Sequence, residues 1–147
     1  DSIAANIAFG VEKSKIDYAK VKKFAKLAEI DEFIENLLPN GYETFVGERG
    51  TKLSGGQMQR IGIARALYRD FDILVLDEST SGLDSNTERK IIESIKFYRK
   101  DITLIMISHR LSSIKNLDRI IKLNDGIIDI DKNPKEIKLD NNLYLGG

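Results

Sequence analysis

The chain of 147 residues carries 23 basic and 23 acidic side chains, and this zero net charge argues against a protein that binds nucleic acid mainly by neutralising phosphates. Hydrophobic residues make up 41% and charged residues 31%, which is typical of one modest globular domain and excludes a disordered chain. The absence of cysteine excludes disulfides, zinc–thiolate sites and thiol nucleophiles, and no apolar run reaches the roughly 20 residues that span a bilayer.

Residues 1–69 have the pattern of a helical, loop-rich region. The segment DYAKVKKFAKLA has Asp17 as a candidate N-cap, and its apolar positions share one helix face. The residues of that face are Val21, Phe24, Ala25 and Ala28. The segment DEFIENLL repeats the helical spacing, and Pro39 with the Asn-Gly pair after it is expected to end this second helix.

From residue 70 onward, the pattern alternates between strands and helices. ILVL (73–76) and ITLIMIS (102–108) are continuous apolar runs, typical of strands buried on both faces of a parallel sheet. Between them lies a predicted helix in which Ser85 and Glu88 have the spacing of a capping box, so we expect a right-handed βαβ unit. An Asn-Asp-Gly turn between IIKL and IIDI predicts a terminal β-hairpin. The pattern therefore predicts an α/β fold.

Two consecutive glycines, Gly55 and Gly56, stand where the long helical pattern of GGQMQRIGIARAL begins, although glycine costs about 1 kcal/mol relative to alanine in a helix. Ser54 and Gln57 have the spacing of a capping box. Without Cβ atoms, the first-turn amides are open to close approach by ligand oxygens, and phosphate is the ligand that this arrangement favours. The alternative is a helix cap that glycine loosens and that binds nothing.

Two consecutive carboxylates, Asp77 and Glu78, follow the first apolar strand. In open α/β sheets, ligands bind at the carboxyl ends of the strands, and adjacent strand residues point to opposite faces. Asp77 is placed to hold Mg²⁺, directly or through water, and Glu78 is placed to deprotonate an attacking water in phosphoryl transfer. The alternative is that both only cap the strand at the surface.

One histidine, His109, ends the second apolar strand in MISH. It is expected to face the same crevice as the two carboxylates and to donate a hydrogen bond to a phosphate or an attacking water. The alternative is an ordinary surface histidine.

Four motifs occur together. LSGGQ (Leu53–Gln57), ILVLDE (Ile73–Glu78), SGLD (Ser81–Asp84) and the single His109 follow one another in this order. They match, respectively, the signature motif, the Walker B strand with its following glutamate, the D-loop, in which alanine is usual at the position of Gly82, and the switch histidine. The sequence therefore resembles the nucleotide-binding domain of ATP-binding-cassette (ABC) proteins over nearly its whole length.

This resemblance implies a partial P-loop NTPase (ABC ATPase) fold. Residues 1–69 would be the helical signature subdomain, and residues 70–147 would be the C-terminal half of the RecA-like ATPase core. It implies ATP and Mg²⁺ as ligands, with Asp77 at the metal and with Glu78 and His109 in catalysis. The other expected nucleotide contacts are Leu53, Ser54, Gly55, Gly56, Gln57 and Asp84, of which Asp84 would also help to line a dimer interface.

The resemblance also implies partners. In the family, two nucleotide-binding domains form a head-to-tail dimer, with each ATP between the signature of one and the Walker motifs of the other. TFVGERG (Thr44–Gly50) is similar to the exporter segment that contacts the coupling helices of the membrane domain, and DSIAANIAFG resembles the exporter sequence that follows the Q-loop. We thus expect an exporter ATPase at the cytoplasmic face of the cell membrane, which meets the membrane only through its partner domain and binds no nucleic acid.

The sequence departs from the family in one respect, since no G-x-x-x-x-G-K-[ST] motif occurs in it. The family places this P-loop and the Q-loop upstream, so we expect the C-terminal part of a longer domain, which by itself binds ATP poorly and is inactive. Two alternatives stay open, a soluble ABC ATPase that acts on nucleic acid or ribosomes and a non-catalytic binding module of the same fold. The zero net charge and the VGERG segment favour the exporter.

Overall fold

The computed structural model describes residues 1–47, 52–78, 80, 82–108 and 117–136. Packing divides the chain into two compact units, Asp1–Met106 and Ile107–Gly147. The predicted division by function at residue 69 stays a prediction. The helices and strands of the described residues are α1 (Ile3–Ile7), α2 (Tyr18–Leu27), α3 (Asp31–Leu37), α4 (Gly55–Tyr68), β1 (Ile73–Asp77), α5 (Ser85–Tyr98), β2 (Thr103–Ile107), β3 (Ile120–Asn124) and β4 (Ile127–Lys132).

Helix α2 begins where its sequence predicts. The Asp17 carboxylate accepts a hydrogen bond from the Lys20 amide at 2.9 Å, which confirms Asp17 as the N-cap. The predicted apolar face, Val21 included, is buried. The chain leaves α2 through Glu29, whose φ of 56° is left-handed, and this reversal directs it into α3.

Helix α3 is held through its first residue. Asp31 is buried, and its carboxylate accepts a 2.6 Å hydrogen bond from the Tyr42 hydroxyl. Burial and this carboxylate raise the pKa of Tyr42, so the phenol stays protonated and continues to donate. The contact ties the short turn Gly41–Glu43 to the start of α3.

The core of the first unit forms around α4, because α1 and α2 both pack against it. Large apolar side chains from all five helices and from β1 are buried in this core, and burial of each such side chain contributes about 1.5–3 kcal/mol. They are Ile3, Ile7, Val21, Phe24, Ile34, Ile61, Leu67, Leu74, Leu76, Ile91 and Ile95. The ring of Phe24 meets the rings of Tyr68 and Tyr98 edge to face, with centroids 6.3 Å and 5.6 Å away. The start of α4 is therefore carried by a well-packed helix.

Strands β1 and β2 pair with each other, and α5 lies between them in the chain, which confirms the predicted strand–helix–strand order. The prediction that both faces of these strands are buried is wrong for this chain. Leu74 joins the core, whereas Ile73 is 59% exposed and Val75 is 54% exposed. The reason is that the described residues supply a core on one side of these strands only, and Ile105 of β2 is exposed in the same way.

Helix α5 does not begin with the predicted capping box. Its N-cap is Asp84, whose Oδ1 accepts hydrogen bonds from the amides of Asn86 at 3.1 Å and Thr87 at 3.0 Å. With the cap one residue earlier than predicted, Glu88 lies beyond the position that could reach back to the cap. It is buried instead, and it accepts a 2.5 Å hydrogen bond from the hydroxyl of Thr80.

The second unit contains the predicted hairpin. Strands β3 and β4 are antiparallel, and Asn124 is paired with Ile127. The two residues between them, Asp125 and Gly126, have φ values of 48° and 78°. Positive φ at both positions is the geometry of the tight hairpin turn that Asp-Gly favours, so the hairpin prediction is confirmed.

Candidate functional site

The N-terminus of α4 is closed by the predicted capping box. Ser54 Oγ accepts a hydrogen bond from the Gln57 amide at 3.3 Å, and Gln57 Oε1 accepts one from the Ser54 amide at 2.8 Å. Ser54 is exposed, while Leu53 is half-buried and packs against the core. The cap therefore fixes the entry of a 14-residue helix whose N-terminal end carries partial positive charge.

The two glycines of this turn have different surroundings. A Cβ on Gly55 would meet no described heavy atom within 4 Å beyond its chain neighbours and its own helix. A Cβ on Gly56 would lie 2.9 Å from the carbonyl oxygen of Gly82 and 3.4 Å from Leu83 Cδ2. Gly56 is therefore required by packing inside the chain, whereas Gly55 faces open space, as a residue that admits a ligand would.

Two residues that sequence reasoning missed hold this turn in place. Gln59 Oε1 accepts a 3.0 Å hydrogen bond from the Gly82 amide. The Arg60 guanidinium donates to the carbonyl oxygens of Gly56 at 3.3 Å and Glu29 at 2.6 Å. Burial lowers the pKa of Arg60, while the charges of Asp84 and Glu29 oppose that shift. The available signal was position, since Gln59 and Arg60 follow Gly56 by one helical turn.

Asp77 and Glu78 lie where the sequence predicts, at the exposed carboxyl end of β1. Glu78 has a φ of 47°, which is the left-handed region that non-glycine residues rarely occupy. Backbone strain of this kind occurs preferentially at functional sites. Among the residues that the structure describes, no three acidic or histidine side chains are grouped to hold a metal ion.

Asp84 is engaged in its own helix. Besides the two amides at the start of α5, the hydroxyl of Thr87 donates to Asp84 Oδ2 at 2.6 Å. These bonds, the hydroxyl first, lower the pKa of Asp84, which therefore remains a carboxylate and an effective cap. The structure thus brings Ser54–Gln57 and the turn at residues 82–84 together through Gly56 and Gln59.

Part of the predicted site lies outside the described residues, namely His109, Ser81 and the end of the Thr44–Gly50 segment. The described beginning of that segment, Thr44–Gly47, runs beside the first residues of the chain. The Ile3 amide donates to the Thr44 carbonyl oxygen at 3.1 Å, and Phe45 forms a bridge with Ser2. Thr44 is buried, whereas Phe45 is 60% exposed and offers an aromatic ring at the surface.

Within the described ranges, no helix combines the length and apolar character that crossing a bilayer requires.

Comparisons with known proteins agree with this arrangement. A family model described as "ABC transporter" matches residues 2–81, which is more than half of the chain. The ATP-dependent lipid A-core flippase of Ralstonia nicotianae is 44% identical over 147 residues, covering 99% of this chain and 25% of that protein. Multidrug resistance protein pgp-1 of Caenorhabditis elegans is 49% identical over 127 residues, covering 86% of this chain and 10% of that protein.

A solved structure gives the same result for the fold. A bacterial Atm1-family ABC exporter with ATP bound superposes with a TM-score of 0.82 at 42% identity, covering 92% of this chain and 23% of that one. This chain thus spans a quarter or less of the length of these proteins. The family-model match and the shared fold lead to one conclusion: the chain belongs to the ABC transporter family, and its sequence is of the exporter type of nucleotide-binding domain.

Proposed function

We propose that this chain is part of the ATP-hydrolysing domain of an ABC exporter, in which ATP binding closes two nucleotide-binding domains and so drives transport. The observation that carries the proposal is the capped N-terminus of α4, where Gly55 faces open space while its neighbour Gly56 packs against Gly82. A ligand that binds the closed pair more tightly than the open pair shifts the equilibrium toward closure. ATP is that ligand in the proposal.

The first turn of α4 would receive the phosphates of an ATP that the second domain holds. The capping box uses the Ser54 and Gln57 side chains to orient the turn, and Gly55 has no side chain that would block an approaching oxygen. Helix N-termini bind anions through backbone amides and the helix dipole. In this role Leu53 anchors the turn by its contact with the core.

Asp77 would hold Mg²⁺ together with the phosphates of ATP. Magnesium usually keeps several waters and takes only one or two protein carboxylates beside substrate phosphates. A single exposed aspartate at a strand end fits that requirement, whereas a closed cage of carboxylates would not be expected. When bound, Mg²⁺ supplies charge neutralisation at the transferred phosphoryl group.

Glu78 would accept the proton of the attacking water. Its left-handed φ directly after the strand, together with its exposure, supports this role. His109 would donate a hydrogen bond to the same phosphoryl group, and Asp84 would lie at the interface between the two domains. Positioning and electrostatic stabilisation supply most of the rate in phosphoryl transfer.

The proposed partners are a second nucleotide-binding domain, arranged head to tail, and the coupling helices of a membrane domain. The segment Thr44–Gly50 would contact those helices, and the exposed ring of Phe45 suits such a contact. The protein would then act at the cytoplasmic face of the membrane, with this domain outside the bilayer. The names of its relatives, a flippase and an exporter among them, support this proposal.

The test is Glu78→Gln in the whole protein that carries this sequence. Glutamine keeps the shape of the side chain but cannot take a proton, and loss of a general base lowers kcat by about 10²- to 10⁴-fold. We expect Mg-ATP binding to persist while hydrolysis is nearly abolished and closed dimers accumulate. Hydrolysis at the wild-type rate would refute the assignment of Glu78.

A further inference from the structure

Three contacts join the first turn of α4 to the turn at residues 82–84. The Gly82 amide donates to Gln59 Oε1 at 3.0 Å. The Gly82 carbonyl oxygen lies so near Gly56 that a Cβ there would be 2.9 Å away. Leu83, which is buried, approaches the same position at 3.4 Å. One residue, Gly82, is therefore hydrogen-bonded through its amide and closely packed at its carbonyl oxygen by the first turn of α4.

The hydrogen bond between Gly82 and Gln59 depends on the side chain at position 59 and is affected by any side chain at position 82. A Cβ on Gly82 would lie 2.7 Å from Gln59 Oε1 and 3.3 Å from its Cδ, inside the normal contact distance. An alanine at 82, the residue that is usual at this position in the family, would thus require the flexible Gln59 carboxamide to shift. An apolar side chain at 59 would abolish the hydrogen bond by removing the acceptor.

The turn at residues 82–84 lies in the sequence between Glu78 and helix α5. Only three residues separate Glu78 from Gly82 in the sequence, and the Leu83 amide donates to the Thr80 carbonyl oxygen at 2.9 Å. Directly after Leu83, Asp84 caps α5. The hydrogen bond from Gly82 to Gln59 therefore joins α4 to the residues that lead into α5, close in sequence to Glu78.

We propose that Gln59 is a positioning residue that locks the turn at residues 82–84 to the first turn of α4. The signature turn and residues 82–84 then move as one body. This inference rests on the proposed function, in which the signature of a chain faces one ATP while its Glu78 serves the other. The Gln59–Gly82 bond would thereby link the two ATP sites through a single chain.

The test uses the whole protein and steady-state hydrolysis of Mg-ATP. Gln59→Leu removes the acceptor at similar size, and Gln59→Glu keeps an acceptor oxygen. We expect Gln59→Leu to lower kcat about three- to tenfold, the effect of one hydrogen bond. The KM for Mg-ATP should stay within about twofold, because ground-state binding is not altered. Gln59→Glu should retain most of the wild-type kcat.

Wild-type kcat in Gln59→Leu would overturn the inference. Equal losses of kcat in Gln59→Leu and Gln59→Glu would overturn it as well. Should Gln59→Leu fail to fold, Gln59→Asn, one methylene shorter, replaces it under the same criteria.

Arg65→Gln is the matched control. Arg65 ties the same helix to Asn6 through bonds of 2.7 Å and 2.9 Å, far along the helix from the 82–84 turn. Arg65→Gln should lower the temperature of unfolding without the selective fall in kcat. An equal fall in kcat in Arg65→Gln would mean that Gln59 only stabilises α4 in a general way. Glu78→Gln is assayed in parallel. Normal hydrolysis in Glu78→Gln would overturn the proposed function. Loss of hydrolysis in Glu78→Gln together with a wild-type kcat in Gln59→Leu would overturn only this inference.

Discussion

Gly55 and Gly56 are neighbours of the same type, yet packing within the structure requires only Gly56 to be glycine. Gly56 packs against the backbone of Gly82, while Gly55 faces open space. We expect Gly56→Ala to lower the free energy of unfolding by about 1–3 kcal/mol, the usual effect of overpacking. Gly55→Ala should leave it unchanged or raise it by up to about 1 kcal/mol, because alanine is the better helix former. Urea denaturation measures both.

The two glycines also differ in how directly a substitution at each would report on phosphate binding. A carboxylate at position 56 would clash within the chain, so a defect there would not report on ATP alone. Gly55→Asp avoids that clash, and we attribute its expected loss of ATP-driven closure to repulsion between two anions. Equal destabilisation by Gly55→Ala and Gly56→Ala would contradict the distinction.

Local residue patterns predicted much of this site. Ser54 and Gln57 form the predicted capping box, and Asp77 and Glu78 end the predicted strand. The grip of Gln59 on Gly82 could not be predicted, because it joins residues distant in sequence that meet only once the helices have packed. The packing of Gly56 against Gly82 could not be predicted for the same reason.

Between elements, the buried pair of Thr80 and Glu88 links the loop after β1 to α5. Thr80 is 3% exposed and Glu88 is 1% exposed, and their hydrogen bond is 2.5 Å long. Thr80→Val keeps the shape of the side chain and removes the hydroxyl, so we expect the free energy of unfolding to fall by about 1–3 kcal/mol. Chemical denaturation of the variant measures this loss.

Thr80→Ser is the matched control for that prediction. It keeps the hydroxyl and removes one buried methyl group, which should cost about 1 kcal/mol. A Thr80→Val protein within about 0.5 kcal/mol of the wild type would show that the hydroxyl contributes nothing.

The start of α5 shows how an element boundary was mispredicted. Ser85 and Glu88 have the spacing of a capping box, but Asp84 stands one residue earlier and accepts two amides at once. The shift by one position turned Glu88 from a surface cap into a buried partner of Thr80. Sequence spacing alone does not decide between two adjacent cap candidates.

At the scale of the molecule, the sheet of β1 and β2 carries an uncovered apolar face. Ile73, Val75 and Ile105 are about half exposed on strands whose composition predicts burial on both sides. Contiguous apolar surface of this kind usually marks an interface. The described residues supply a core on one side of these strands only, which explains why the strand prediction was correct and the burial prediction was not.

In the proposed closed dimer, the first turn of α4 contacts the terminal phosphate of ATP. Vanadate traps with ADP in place of that phosphate as a mimic of the transition state, and ultraviolet light then cuts the polypeptide beside it. In the whole protein, we predict a cut between Leu53 and Gln57 after trapping in Mg-ATP and vanadate, and no cut with Mg-ADP alone. Trapped vanadate that blocks hydrolysis but leaves this segment intact would contradict the claim.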